Sequence, residues 1–111
     1  MNVSLKWVAA VTASCIGLAL SLPSNAAGSA EAAKSKISMC IGCHGIPYYR
    51  TAYPEVYHVP KIAGQSADYI AKALQAYRSG ERAHPSMTGI ARGMTDADMA
   101  DLAAYYAGGA K

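Results

Sequence analysis

Phenylalanine is absent from this 111-residue chain, and its one tryptophan, Trp7, stands near the start. Bulky side chains are left to eight tyrosines, five methionines and a modest number of leucines and isoleucines, which makes for a thin polypeptide core. Charge is sparse too: charged residues make up 15% of the chain, ten basic against seven acidic, with no basic run. That excludes the strong positive field needed to bind nucleic acid or an anionic membrane. There are three cysteines and no second closely spaced pair, so a structural zinc site lacks half of its ligands. Strand-like alternation and internal repeats are missing, and the length suits one small domain.

What is present begins with a tripartite leader. Met1 to Lys6 carries a positive charge, Trp7 to Leu22 is an apolar run, and Ser24-Asn25-Ala26 offers small residues where a signal peptidase inspects the chain. The pattern predicts a signal peptide over residues 1–26, cleaved after Ala26, and a mature domain over 27–111 in the periplasm. The run from Trp7 to Leu22 falls short of the roughly 20 residues that span a bilayer. Thr12-Ala13-Ser14 is a poor lead-in for lipidation at Cys15, so membrane anchoring is not expected. From Ala27 onward, nine basic residues (ten less Lys6) against seven acidic ones leave about +2.

The mature part is organised around Cys40-Ile41-Gly42-Cys43-His44. On a helix, positions i, i+3 and i+4 share a face, so two thiols and an imidazole point at one ligand. C-x-x-C-H is the signature of covalent c-type haem attachment, with thioethers from Cys40 and Cys43 and His44 beneath the iron. A bare redox pair does not need the histidine. Outside the cytoplasm, attachment also caps two thiols that would otherwise oxidise. A mature chain of about 85 residues is near the size at which a core alone gives thin stability, and a buried porphyrin supplies the missing apolar surface. The haem-free chain is therefore expected to be largely unfolded.

Periodicity predicts an all-α fold of about three main helices around this one haem. Gly28 to Met39 is rich in Ala, Ser and Lys and runs into the motif without a breaker, which predicts a helix from about Ser29 to Cys43. Its small residues suit close contact with another helix. Pro47, Pro54 and Pro60 make residues 45–64 a long loop, although Tyr49, Tyr53 and Tyr57 fall at helical spacing. Ser66 reads as an N-cap with Asp68 in the first turn. Ile70, Leu74 and Tyr77 follow on one face, and Gly80 is a natural stop. Residues 81–93, with Pro85, Gly89 and Gly93, read as irregular with at most one helical turn. Thr95-Asp96-Ala97-Asp98 is a capping-box pattern opening a last helix to about Ala107, with Met99, Leu102 and Tyr106 on its apolar face.

What binds the iron opposite His44 decides the function, and the candidates are Met87, Met94, Met99, His58 and His84. Met99 belongs to the apolar face of the last helix, and Met94 can pair with it as a hydrophobic staple. Met87 has no such task and lies in a stretch whose irregular backbone can aim a thioether, which favours it. His84 would give a bis-His haem, while His58 beside the Pro60 turn lies near the haem edge or faces water; loop histidines are more often simply exposed. A soft thioether favours Fe(II) and raises the potential.

Three further stretches now carry weight: Pro60-Lys61-Ile62-Ala63-Gly64-Gln65, Tyr77-Arg78-Ser79-Gly80-Glu81-Arg82, and Ser86-Met87-Thr88-Gly89-Ile90-Ala91 with Thr95 to Tyr106 behind it. With C-x-x-C-H they make the chain resemble a class I cytochrome c, in particular one half of the two-haem periplasmic cytochromes or a single-haem bacterial relative. The resemblance covers nearly all of the mature chain. It implies Met87 as the sixth ligand and a Pro60 carbonyl that orients His44. Ile62, Leu74, Tyr77 and Ile90 are the candidate pocket walls. The chain departs from the family in a longer stretch between His44 and Pro60, filled with Tyr48, Tyr49, Tyr53 and Tyr57, and in Met94 where Leu is common. The tyrosines stand in for the absent phenylalanine as packing, or turn their hydroxyls to a propionate or a docking surface; Arg50 is a candidate propionate partner.

The function implied is an exported electron carrier, not an enzyme, that cycles between Fe(III) and Fe(II) with both axial positions filled. Its partners would be redox proteins, a membrane oxidase or a dehydrogenase, met through small transient contacts. A monomer is expected; two-haem behaviour would need a dimer, since there is no second haem motif. A haem subunit of a larger dehydrogenase or oxidase complex is the alternative, and a haem enzyme or gas sensor with a displaceable sixth ligand is a more distant one.

Overall fold

Local capping rules set most of the helix boundaries. The computed structural model describes residues 27–53 and 56–109, so the signal expected over 1–26 lies outside the described residues. Five helices follow in order: α1 (Ala30–Ala33), α2 (Ser38–His44), α3 (Ala67–Ser79), α4 (Pro85–Arg92) and α5 (Asp96–Ala107). Among the described residues, the sheet-like pairing is one isolated bridge between Arg50 and His58. No helix there is long and apolar enough to cross a membrane.

The caps of α3 and α5 are those the sequence predicts. The Ser66 hydroxyl accepts from the Tyr69 N–H, and Gly80 closes α3 at φ 89, a left-handed conformation that costs glycine little. Thr95 and Asp98 form a reciprocal capping box at the start of α5.

Two expectations need correction. The continuous helix from Ser29 to Cys43 is two helices, α1 and α2, separated by a turn over 34–37. The Ser35 hydroxyl bonds back to the Ala32 carbonyl, and the Lys36 ammonium reaches Asp98 (2.7 Å) and Asp101 (2.8 Å) on α5. Tertiary ion pairs and a side-chain bond to the backbone thus replace helical continuity. The stretch expected to be irregular contains a full helix, α4. Pro85 begins it instead of breaking it, because a first-turn residue has no N–H partner to lose. His84 caps it: its Nδ1 accepts from the Met87 N–H at 3.4 Å, while its own N–H donates to the Thr88 hydroxyl at 3.2 Å. His84 is accordingly half-buried, not an exposed loop residue.

α5 packs against α3 and α1, and α3 against α4. The buried residues are Ala33, Ile70, Leu74, Ala91, Met94, Met99, Leu102, Ala103 and Tyr106. Small residues do bring α1 close to α5, as Ala33 is fully buried. Just before α1, a Cβ on Gly28 would collide with the Ala100 carbonyl. The Ser29 N–H donates to Asp101 at 2.7 Å. At the other end of the bundle, Arg78 on α3 donates to the Met94 carbonyl at 3.1 Å and pairs with Asp96, fixing the α4–α5 turn.

The long loop after α2 is tied by Val59 N–H to the Tyr49 carbonyl (2.9 Å), Thr51 N–H to the Tyr57 carbonyl (2.9 Å) and Gly64 N–H to the Tyr106 carbonyl (2.8 Å). Its tyrosines divide. Tyr49 and Tyr57 are half-buried, the Tyr57 ring lying 4.3 Å from that of His84, whereas Tyr48 and Tyr53 are 98% and 87% exposed. Packing in place of phenylalanine accounts for the first two alone.

Candidate functional site

The Cys40–His44 motif occupies most of α2, so helical spacing puts both sulfurs and the imidazole on one side. Cys40 and Cys43 are half-buried and not joined in a disulfide. His44 Nδ1 lies 2.7 Å from the Pro60 carbonyl oxygen. A carbonyl only accepts, so the proton is on Nδ1 and the Nε2 lone pair is left for a metal. Pro60 thus stands where it can hold the ring, with φ of its own fixed by the pyrrolidine.

Beside this histidine is a cleft of about 410 Å³, lined among others by His44, Tyr48, Tyr49, His58, Lys61 and Tyr106. Of the predicted haem ligands His44 alone lines it, while Cys40, Cys43 and Met87 do not. Cys40, Ile62, Tyr77, Met87 and Ile90 are half-buried against the buried cluster that contains Leu74 and Tyr106. Five of the sequence-derived site residues therefore border one apolar body, and Leu74 lies inside it. Tyr106 belongs to both the cleft and the core. Met87 is in the first turn of α4, with its backbone held by the His84 cap, where the sequence predicts an irregular segment. His58 is exposed at the cleft, and Arg50 is exposed in the loop above.

Tyr106 reads from the sequence as core on the apolar face of α5, and it is core, but its hydroxyl is buried there without a hydrogen-bond partner. The polar group beside it is the Cys40 thiol. Burial raises the pKa of each, so both are neutral at physiological pH. The available signal was a phenol at the centre of an otherwise aliphatic stripe.

These residues fit a covalently held haem. His44, with its far nitrogen open, and the unpartnered Tyr106 hydroxyl share the cleft, two free thiols three residues apart lie on the helix that carries His44, and Cys40 packs against the apolar body that contains Tyr106. Among the described residues there is no cluster of His, Cys, Asp or Glu that would hold a bare metal ion instead.

Comparison with known proteins agrees. The family model described as Cytochrome c matches residues 29–107. The chain is 42% identical over 83 residues to cytochrome c-554(548) of Halomonas halodenitrificans, a match covering 72% of this chain and 95% of that protein. It is 37% identical over 83 residues to cytochrome c4 of Pseudomonas aeruginosa, covering 75% of this chain but 39% of the relative. A 35% identical match over 74 residues to the thiosulfate dehydrogenase electron acceptor of Stutzerimonas stutzeri covers 64% of this chain and 32% of that protein. This chain thus spans about two fifths of the cytochrome c4 relative. The helical fold and the spacing of Cys40 and Cys43 are those of a protein carrying haem c for electron transfer. By sequence, fold and site, the chain belongs to the cytochrome c family.

Proposed function

We propose that this protein is an exported single-haem electron carrier with His44 and Met87 as axial ligands. The observation that carries the reading is the Nδ1–H of His44 on the Pro60 carbonyl at 2.7 Å, which leaves Nε2 for iron on the helix face that bears both cysteines. When bound, haem supplies one-electron Fe(III)/Fe(II) chemistry. The polypeptide's work is to hold things still. Cys40 and Cys43 anchor the porphyrin edge, Pro60 fixes the imidazole ring, and the His84 cap sets the backbone of Met87. Ile62, Leu74, Tyr77 and Ile90 exclude water, which keeps reorganisation between the two redox states small.

Held by His44 and Met87 together, the iron would have no site open for oxygen or peroxide, which would favour a carrier over an enzyme or gas sensor. The leader over residues 1–26 supports a periplasmic location. Partners are redox proteins met transiently. A dehydrogenase as donor is supported by the relative named as the electron acceptor of thiosulfate dehydrogenase, with a membrane oxidase as the acceptor counterpart. The test is Met87→Ala in protein from a host competent for cytochrome maturation. Loss of the thioether is expected to change the oxidised spectrum, lower the midpoint potential and let the ferrous form bind carbon monoxide. An unchanged spectrum and potential would show that another residue is the sixth ligand.

A further inference from the structure

Among the buried side-chain nitrogen and oxygen atoms of the described residues, the Tyr106 hydroxyl is the one without a hydrogen-bond partner. The residue is 3% exposed and firmly placed. Its carbonyl accepts from Gly64 N–H (2.8 Å) and Gly109 N–H (3.0 Å), and its ring meets that of Tyr105 edge-on with centroids 5.1 Å apart. Leaving a buried hydroxyl unpaired forfeits its hydration without return, so such groups are normally matched. Tyr106 lines the His44 cleft and belongs to the buried cluster against which Cys40 packs, with the two side chains in hydrogen-bonding reach.

We propose that the Tyr106 hydroxyl donates a hydrogen bond to the Cys40 sulfur once that sulfur carries the haem, and that this bond raises the midpoint potential. The inference rests on the haem-carrier reading above. A thiol sulfur and a phenol oxygen can each donate and accept, so between them the direction of a hydrogen bond is open. A thioether sulfur has no hydrogen left and only accepts, which fixes the direction of the bond. Burial keeps the phenol protonated, so the donor persists across physiological pH. The positive end of the O–H dipole then faces the porphyrin edge in a medium of low dielectric. There it stabilises the reduced, more electron-rich state over the oxidised one. Tyr106 is in this sense a tuning residue, and an aliphatic or Phe side chain at the position would fill the core equally well.

Tyr106→Phe keeps the ring and removes the dipole. The holoprotein variant is expected to retain haem and the wild-type axial-ligand spectrum while its midpoint potential falls. Tyr105→Phe serves as the control and leaves the potential in place. An equal potential in Tyr106→Phe and wild type, with haem present in both, overturns the proposal while leaving the carrier reading intact. Wild-type protein without haem overturns both. If Tyr106→Phe does not mature, infrared difference spectra of reduced against oxidised wild type with ring-labelled tyrosine decide the matter. A tyrosine C–O band that shifts on reduction and survives in Tyr105→Phe supports the bond, and its absence overturns it.

Discussion

His44 Nδ1 sits 2.7 Å from the carbonyl oxygen of Pro60, sixteen residues along the chain and across the turn of a long loop. The bond fixes both the tautomer and the rotation of the ring, and it makes the imidazole a stronger electron donor to a metal on its other nitrogen. Replacing Pro60 with Ala keeps the carbonyl but frees its backbone from the fixed φ. The His44 Nδ1 proton is expected to exchange faster with solvent, and the midpoint potential to rise on the order of 30 mV, about threefold in the one-electron equilibrium. NMR of the reduced protein and a redox titration read the two effects.

Folding and haem attachment should be inseparable. Nine residues are buried among those described, and three of them are alanines. With Cys40 and Cys43 both replaced by Ser, the chain cannot hold the group that fills the cleft. It is expected to give a poorly dispersed NMR spectrum and a non-cooperative thermal melt, and a sharp melt would contradict this.

The contact between the segment before α1 and α5 leaves no room for a side chain. Gly28→Ala drives a methyl into the backbone of Ala100, which cannot rotate away. Overpacking of this kind costs about 1–3 kcal/mol, and equilibrium denaturation of the holoprotein measures it. Leu102, 2% exposed at the centre of α5, fails in the opposite way: Leu102→Ala leaves a cavity and is expected to cost about 2–5 kcal/mol.

Lys36 bridges Asp98 and Asp101, and its hydrogen bonds are the first cause of the lowered pKa of each carboxyl, ordinarily 3.8. Groups whose folded pKa is depressed contribute stability that is present above the ordinary value and is lost as pH falls through the depressed one. Acid should therefore weaken the wild type progressively below about pH 4. Lys36→Met is expected to melt lower at neutral pH and to show a flatter decline on acidification. Thermal melts from about pH 2 to pH 7 give both curves.

The parts of the fold governed by local chemistry were legible in the residue order. Ser66 and Gly80 bound α3 because a hydroxyl cap and a left-handed glycine act within a turn of their own positions. The Thr95–Asp98 box opens α5 for the same reason. The motif itself declared the cofactor, since three reactive groups on one helix face require nothing from the rest of the chain. Pro85 misled because proline both breaks and begins helices. Which of the two it does depends on whether a cap such as His84 precedes it.

Composition and spacing by themselves determined a single small helical domain that takes a covalent group at Cys40 and Cys43, because those properties rest on bonds and on periods of a few residues. The tertiary structure alone decided that α1 and α2 part at residues 34–37, that Tyr48 and Tyr53 face outward while Tyr57 meets His84, and that the Tyr106 hydroxyl comes to rest against Cys40. The Lys36 ion pairs with α5, the Tyr57–His84 contact and the Tyr106–Cys40 contact each join residues far apart in the chain. Such pairings are set by which surfaces α5 and the long loop bury together, and no local pattern encodes that choice.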